Sequence, residues 1–558
     1  MRIWRYLLTE TILVGVAWPY PNGSLHLGQI AGAYLPADIF ARYNRLVGNR
    51  VLMVSGSDQH GTPITVRAEQ EGRSPQEIAD GYHNEYLECW KQLGISFDLY
   101  TSTGTQNHIE TAQDIFLKLY EKGDLYLDTT NQTFCVQEGR FLPDRYVEGI
   151  CPHCDYDGAR GDQCDNCGRS LDPVDLIKPR CRFDGSTPEQ RPSEHFFLKL
   201  SAYNERLKTW MATGKEHWRR HVLGFANGLL AEGLKDRSET RDMEWGVPIP
   251  LEGYETKRMY VWFENVIGYL SAAKEWAQNQ GTPDAWKDWW QDPSARIYYF
   301  IGKDNLWFHT LTWPAQVMMY GGLNQPYDVP ANQYVNFGGW KASTSKGTAP
   351  FVPEYVERFD TDTIRYYLSA IMPENDDSEF SEDDLIKRNN DELVSTWGNL
   401  VNRVLTITYR TFGKVPDPGA LRDTDQALLD AGQEALKSVG DSIGACKFRE
   451  GLRTAMGYAQ EANRYLNQEE PWKMRESDPA SAGRALYTAI GAIEVLKVAL
   501  SPYLPFTSES LHKMLGHDEP LADQGWTAGV PTPGGKLSPP EPLFKKLDAI
   551  EKEGSATR

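Results

Sequence analysis

No stretch of this 558-residue sequence is apolar over the length of a membrane span, so a transmembrane helix is excluded and no membrane partner is expected. The apolar run over 7–18 is interrupted by Glu10 and precedes no small-residue cleavage site, so it reads as a first buried strand and not as a signal peptide. Cysteine is scarce. Eight in a long chain without a secretory signal argue against a disulfide framework and for a reducing, cytoplasmic setting. There is no internal repeat. Positive charge is also in deficit, with 58 Lys and Arg against 77 Asp and Glu and a formal charge of −19. Recognition of nucleic acid by bulk charge is thereby disfavoured, and only local patches could supply it. Two such patches are Trp218-Arg219-Arg220-His221 and the pair Arg403 and Arg410, two turns apart on an expected helix. A solvated charged face is the plainer reading of either.

What is present suits large globular units. Forty per cent of residues are hydrophobic, and 17 tryptophans and 28 tyrosines can fill several cores, so disorder is excluded and three or four domains are expected. Residues 11–17 form a short apolar run of the buried parallel type. Helical spacing follows over 26–46, a second strand over 51–54, and a helix over 75–93 with Pro75 at its first position. This alternation predicts a doubly wound α/β sheet of Rossmann type. It breaks near residue 123, where cysteine, proline and glycine enter with little periodicity. Strand, helix and strand return at 297–301, 306–320 and 334–337, and long helical stretches such as 391–412 and 427–468 predict an α-helical bundle. The expected organisation is a first catalytic half over 1–122, an inserted zinc-knuckle domain over 123–235, a second catalytic half over 236–348, a linking segment over 349–383, a helical domain over 384–515 and a tail over 516–558.

His26-Leu27-Gly28-Gln29 falls where a strand gives way to a helix. Free N–H groups and the positive dipole end gather there, which makes it a natural phosphate site. Gly28 allows close approach of a nucleotide, and the His26 imidazole can donate to a phosphate whose charge grows in a transition state. Lys341-Ala342-Ser343-Thr344-Ser345-Lys346-Gly347 is a polar loop with two ammonium groups. Gly302-Lys303-Asp304 follows an expected strand, and Asp304 could bind two ribose hydroxyls. Cys151-x-x-Cys154 and Cys164-x-x-Cys167, nine residues apart, can wrap four thiolates around one Zn²⁺. No histidine or carboxylate in the motif leaves an open position, so this zinc is expected to be structural.

Pro19-Tyr20-Pro21-Asn22-Gly23 ahead of His26, the knuckles, Arg241-Asp242-Met243-Glu244-Trp245-Gly246-Val247-Pro248, the stretch Trp262–Tyr269 and the Lys341 loop occur in this order. Together they resemble the methionyl-tRNA synthetases, class I aminoacyl-tRNA synthetases, over about residues 11–515. The resemblance implies methionine, ATP with Mg²⁺, and initiator and elongator methionine tRNAs as partners, and a two-step reaction through methionyl-adenylate. It implies catalytic roles for His26, Gln29, Lys341 and Lys346, and ATP contacts from these with Gly28, Gly302, Asp304, Ser343 and Ser345. Methionine would meet Ala17, Trp18, Tyr20, Asp58, Arg241, Trp262, Tyr269 and His309. In that reading Asp58 accepts the α-ammonium group, Trp262 gives an apolar wall and the Tyr269 hydroxyl donates to the thioether. Asn399, Arg403, Pro471 and Trp472 would read the anticodon.

The sequence departs from the family pattern at three places. Gln29 replaces a second histidine, Thr344 replaces a second lysine whose role Lys346 would share, and Glu264-Asn265-Val266 replaces Asp-Ala-Pro. Some relatives carry a second zinc near Cys181. Its partner cysteines are lacking here, so one zinc is expected, with Cys89, Cys135 and Cys446 buried as apolar residues. Synthetases for Ile, Val or Leu carry an editing insertion that does not fit, and a cysteine-specific enzyme would hold zinc at its substrate. The remaining alternative is a paralogue that binds tRNA without charging it. Too few residues follow the bundle for a dimerising domain, so a monomer is expected.

Overall fold

The computed structural model describes residues 9–548 except 162, 163, 165, 168, 170, 339 and 342–348, and gives only the backbone of Arg145, Trp340 and Lys341. Its centre is a five-stranded parallel sheet of β1 (Thr11–Val16), β2 (Arg50–Ser57), β3 (Leu99–Ser102), β4 (Arg296–Gly302) and β5 (Ala331–Asn332). The order across the sheet is β5-β4-β1-β2-β3, with every neighbour parallel. β1 is apolar from Ile12 to Val16 because helices cover both sheet faces, and those residues are all buried. From β1 the chain winds outward through β2 and β3, then returns to add β4 on the other side. The winding reverses between β1 and β4, and a doubly wound sheet opens its ligand crevice at the carboxyl ends of the strands at such a point.

A helical run starts at Leu27, passes through a π-type turn over Ile30–Tyr34 and continues as α1 (Leu35–Leu46). It is followed by α2 (Thr62–Glu71), α3 (Pro75–Leu93) and α4 (Gln106–Glu121). α3 begins at Pro75, behind a Ser74–Glu77 capping box, and ends on the left-handed Gly94, so its limits match the sequence pattern.

The insertion between β3 and β4 is more regular than its composition suggested. Leu125–Cys135 and Glu189–Leu198 pair as an antiparallel ribbon, the knuckle cysteines lie between them, and helices Leu200–Met211 and Arg220–Glu232 follow. α5 (Val261–Asn265) and α6 (Gly268–Asn279) then lead back to the sheet.

After α7 (Thr361–Ala370) the chain is mainly helical, with α8 (Asn399–Phe412), α9 (Asp423–Gly444), α10 (Phe448–Glu469) and α11 (Pro479–Leu500). The stretch 427–468 is therefore two helices. The break is at Cys446, whose backbone is left-handed with φ of 55°. The segment after α11 packs back on both parts: Trp526 N–H donates to the Leu46 carbonyl at the end of α1, and Leu547 N–H to Asn390 Oδ1 ahead of α8. The Trp218–His221 patch is an internal clasp. Arg219 donates to the carbonyls of Ala331 (2.8 Å) and Cys446 (3.1 Å) and Trp218 Nε1 to that of Tyr327 (2.7 Å), which ties the insertion to the sheet edge and the bundle.

Candidate active site

A cavity of about 640 Å³ opens at the ends of β1 and β4. Ala17, Trp18, Tyr20, His26, Gly28, Gln29, Trp262, Gly302 and Asp304 all line it. Their positions follow from local structure. His26 caps the helical run: its Nδ1 accepts from Gln29 N–H (3.2 Å) while Gln29 Oε1 accepts from His26 N–H (3.0 Å). Gln29 thus orients His26 from a position where charge is not required. A Cβ on Gly28 would come 3.0 Å from the His26 ring and crowd it, so glycine suits the position. The loop over 20–23 is held from below by Tyr86, whose hydroxyl bonds to the carbonyls of Tyr20 (2.9 Å) and Gly23 (2.6 Å).

The aromatic end is assembled from separate elements. Trp262 of α5 stacks on Phe308 at 4.1 Å and meets Tyr20 edge-on at 6.0 Å. Trp18 is buried between Gly56 and Gly268, where side chains would clash with its ring at 2.5 and 2.9 Å. Tyr269 and His309 are buried behind this wall and hydrogen-bonded to each other at 2.8 Å. His309 Nδ1 donates to the Asn305 carbonyl, and burial lowers its pKa to about 4, so the ring is neutral. Its Nε2 must then accept, and the Tyr269 hydroxyl proton is committed to it, not to a ligand in the cavity.

Asp58 is buried at the end of β2, and its Oδ2 has no hydrogen-bond partner among the described residues. Burial, then the facing Glu264 carboxylate, push its pKa well above the usual range, against the His60 N–H and the Asn265 side chain. Glu264 itself is fully buried yet stays ionised. Desolvation opposes that, but His60 Nδ1 at 2.9 Å and His108 Nε2 at 2.7 Å outweigh it. Arg241 lies apart from the cavity lining. Its guanidinium sits over the Tyr260 ring and donates to the carbonyls of Ser238 and Thr240.

Lys341 is placed by its backbone only, paired with Asn336 in a small sheet beside the cavity. Ser343, Ser345 and Lys346 lie outside the described residues. The downstream flank of this loop is tied to the His26 helix start, for Leu27 N–H donates to the Pro350 carbonyl and Val352 N–H to that of Leu25. Sequence reasoning missed Tyr34, Arg67, Arg160, Arg182 and Tyr334, which also line the cavity. No short motif marks them: Tyr34 comes from the π-type turn of the His26 helical run, Arg67 from α2, Arg160 and Arg182 from the insertion, and Tyr334 from the residue ahead of the strand at Val335.

The four knuckle thiols lie within 4.8 Å of one another, with Cys151–Cys167 at 3.8 Å and Cys154–Cys164 at 3.6 Å. Thiolates set tetrahedrally at about 2.3 Å from Zn²⁺ would stand about 3.8 Å apart, so the cage fits. Asn166 donates to Cys154 Sγ, which helps to lower that thiol to about 6. Cys135 is more than an apolar filler. With Cys181 and Asp184 it forms a second cluster, its thiol donating to Asp184 Oδ2 at 3.1 Å. Burial raises Cys181 to about 11, which favours hydrogen-bonded thiol over thiolate.

In the bundle, the Arg403 guanidinium of α8 lies 4.6 Å over the Trp472 ring and donates to Asn467. Asn399 is exposed one turn earlier on α8, and Pro471 is buried at the start of the short helix that carries Trp472.

A doubly wound sheet, a capped helix start and an acidic residue after β4 thus meet at one crevice. The family model "tRNA synthetases class I (M)" matches residues 12–405, and "Anticodon binding domain of methionyl tRNA ligase" matches residues 415–558. A methionine–tRNA ligase of Dehalococcoides mccartyi is 54% identical over 98% of this chain and 99% of its own length. One of Thermomicrobium roseum is 50% identical over 98% of each. A solved Mycobacterium tuberculosis methionyl-tRNA synthetase in complex with methionyl-adenylate matches with a TM-score of 0.80 and 25% identity, over 96% of this chain and 100% of that one. The chain belongs to the methionyl-tRNA synthetase family.

Proposed function

We propose that this protein attaches methionine to its tRNA at the expense of ATP. The observation that carries this reading is a cavity at the strand-order switch that unites a phosphate-suited helix start, the Asp304 carboxylate and an aromatic end. The methionine carboxylate attacks the ATP α-phosphate to give methionyl-adenylate and pyrophosphate. The terminal ribose hydroxyl of the tRNA then attacks the adenylate carbonyl and releases AMP. His26 and the N–H groups of the helix start stabilise charge on the phosphates, and Asp304 takes the ribose. Lys341 and Lys346, from a loop rooted beside His26, meet the pyrophosphate. The thioether lies against Trp18, Tyr20 and Trp262, and Asp58 meets the α-ammonium.

Mg²⁺ bound with ATP neutralises phosphate charge. Cys151, Cys154, Cys164 and Cys167 hold one structural Zn²⁺, and metal analysis is expected to return one equivalent per chain. Asn399, Arg403, Pro471 and Trp472 meet the anticodon of both initiator and elongator tRNAs. The protein works as a cytoplasmic monomer, and a dimer mass in light scattering would refute that state.

ATP–pyrophosphate exchange with each of the twenty amino acids tests the reading. Exchange with methionine alone is expected. TRNA binding without exchange for any amino acid would replace it with the non-charging paralogue.

A further inference from the structure

We infer that Glu264 is a positioning residue for methionine: it clamps His60 and His108, fixes the turn that carries Asp58, and sets a carboxylate beside that of Asp58. The inference rests on the proposed methionine site.

The clamp joins three elements. His60 is in the turn after β2, two residues beyond Asp58, and its backbone N–H reaches Asp58 Oδ1 at 3.4 Å. His108 is in the first turn of α4, and its other ring nitrogen lies 2.9 Å from Ser271 Oγ on α6. Glu264 is on α5, two residues beyond the cavity-lining Trp262. One carboxylate therefore fixes the acidic turn against the helix that supplies the aromatic wall. A Trp245 Nε1 bond to the Gln59 carbonyl (2.6 Å) closes the same turn from a fourth side. A carboxylate with no exposure that holds two imidazoles is costly to bury, and structure alone does not require an anion there.

Its charge has a use at Asp58. Asp58 Oδ2 and Asn265 Nδ2 are both buried and neither meets a hydrogen-bond partner among the described residues, though the Asn265 amide lies close enough to hold the Asp58 carboxyl down in part. The other titratable groups around this turn are His60, His108, His83 on α3, bonded to Ser57, and Glu275 on α6, which accepts from Thr101. None is a fixed cation. Two buried carboxylates facing each other bind either a proton or an ammonium group, and the ammonium of an amino acid satisfies the charge.

The test is E264Q in methionine-dependent ATP–pyrophosphate exchange. The amide keeps the volume and removes the charge. KM for methionine should rise at least tenfold, KM for ATP should stay, and kcat should fall far less than kcat/KM. The acid limb of kcat/KM for methionine should move to lower pH, because Asp58 loses the neighbouring anion that raises its pKa; a packing role would leave that limb in place. Should E264Q fail to fold, E264D carries the test. It keeps the charge one methylene short, so KM should rise with the acid limb unmoved. An unsubstituted protein that exchanges with methionine, beside E264Q with unchanged KM and limb, overturns the inference alone. Folded E264Q with raised KM and an unmoved limb also overturns it, as does E264D with unchanged KM. No exchange in the unsubstituted protein overturns the methionine site and the inference together.

Discussion

Gly56 has no side chain because Trp18 fills the space where one would be. A Cβ there would lie 2.5 Å from the Trp18 ring and 2.6 Å from the Thr101 carbonyl of the adjacent strand, and the carbonyl cannot yield without disturbing the β2–β3 pairing. G56A should therefore push Trp18 toward the cavity. We expect a loss of about 1–3 kcal/mol in stability from overpacking, read by thermal melting, with a clear rise in KM for methionine in the exchange assay. Unchanged values in both would mean that Trp18 is free to move. The need for glycine here is invisible in the sequence, since Trp18 and Gly56 meet only through β1–β2 pairing. The same holds for Tyr269 and His309. Both stand in motifs that the sequence marks as pocket-forming, yet the structure buries them behind the cavity wall. That one spends its proton on the other depends on a contact between α6 and the π-type turn after β4, which no local pattern records.

At the scale of elements, α8 presents Arg403 against Trp472 across the turn that ends α10. Glu470, at φ of 42°, bends the chain sharply there and Pro471 starts the next short helix, so Trp472 is placed by backbone and not by a flexible side chain. A base stacked on such a platform gains about 1–3 kcal/mol. W472A and R403A should each lower kcat/KM for tRNA charging by about tenfold or more while leaving methionine-dependent pyrophosphate exchange intact, because the first step does not involve tRNA. Loss of exchange would mean that the bundle supports the active site directly. Elements with strong local signals were readable here: α3 from its capping box and Pro75, β1 from its apolar run. The 427–468 stretch read as one helix because its apolar spacing continues across Cys446, and the break is set by tertiary packing. The insertion read as irregular because its ribbon pairs strands more than fifty residues apart, with cysteines and glycines between them.

For the molecule as a whole, sheet and bundle must keep a fixed relation if anticodon reading is to reach the adenylate. One buried guanidinium sits at that junction. Arg365 of α7 donates to Asp38 Oδ2 on α1 (2.7 Å), to the Leu93 carbonyl at the end of α3 (3.0 Å), and to the carbonyls of Pro502 and Tyr503 beyond α11 (2.8 and 2.9 Å). Both charged side chains are buried, at 1% and 0% relative exposure. Burial alone would raise Asp38, but Arg42, Arg365 and the Ser96 hydrogen bonds outweigh it and hold its pKa at about 2. The unfolded carboxyl titrates near about 3.9. Because the folded value is the lower one, the stabilisation is fully present above that pH and is lost as pH falls toward 2. D38N leaves the guanidinium buried without its anion, which costs about 3–5 kcal/mol. We expect its first thermal transition at pH 7 to fall well below that of the unsubstituted protein, and the gap to narrow as pH drops from 4 to 2. The double variant D38L/R365M should recover much of the loss, since a well-packed apolar pair can replace a buried ion pair. If junction geometry as well as stability depends on the charged clasp, the double variant will melt normally yet charge tRNA more slowly than it exchanges pyrophosphate. Equal rates would assign the clasp to stability alone.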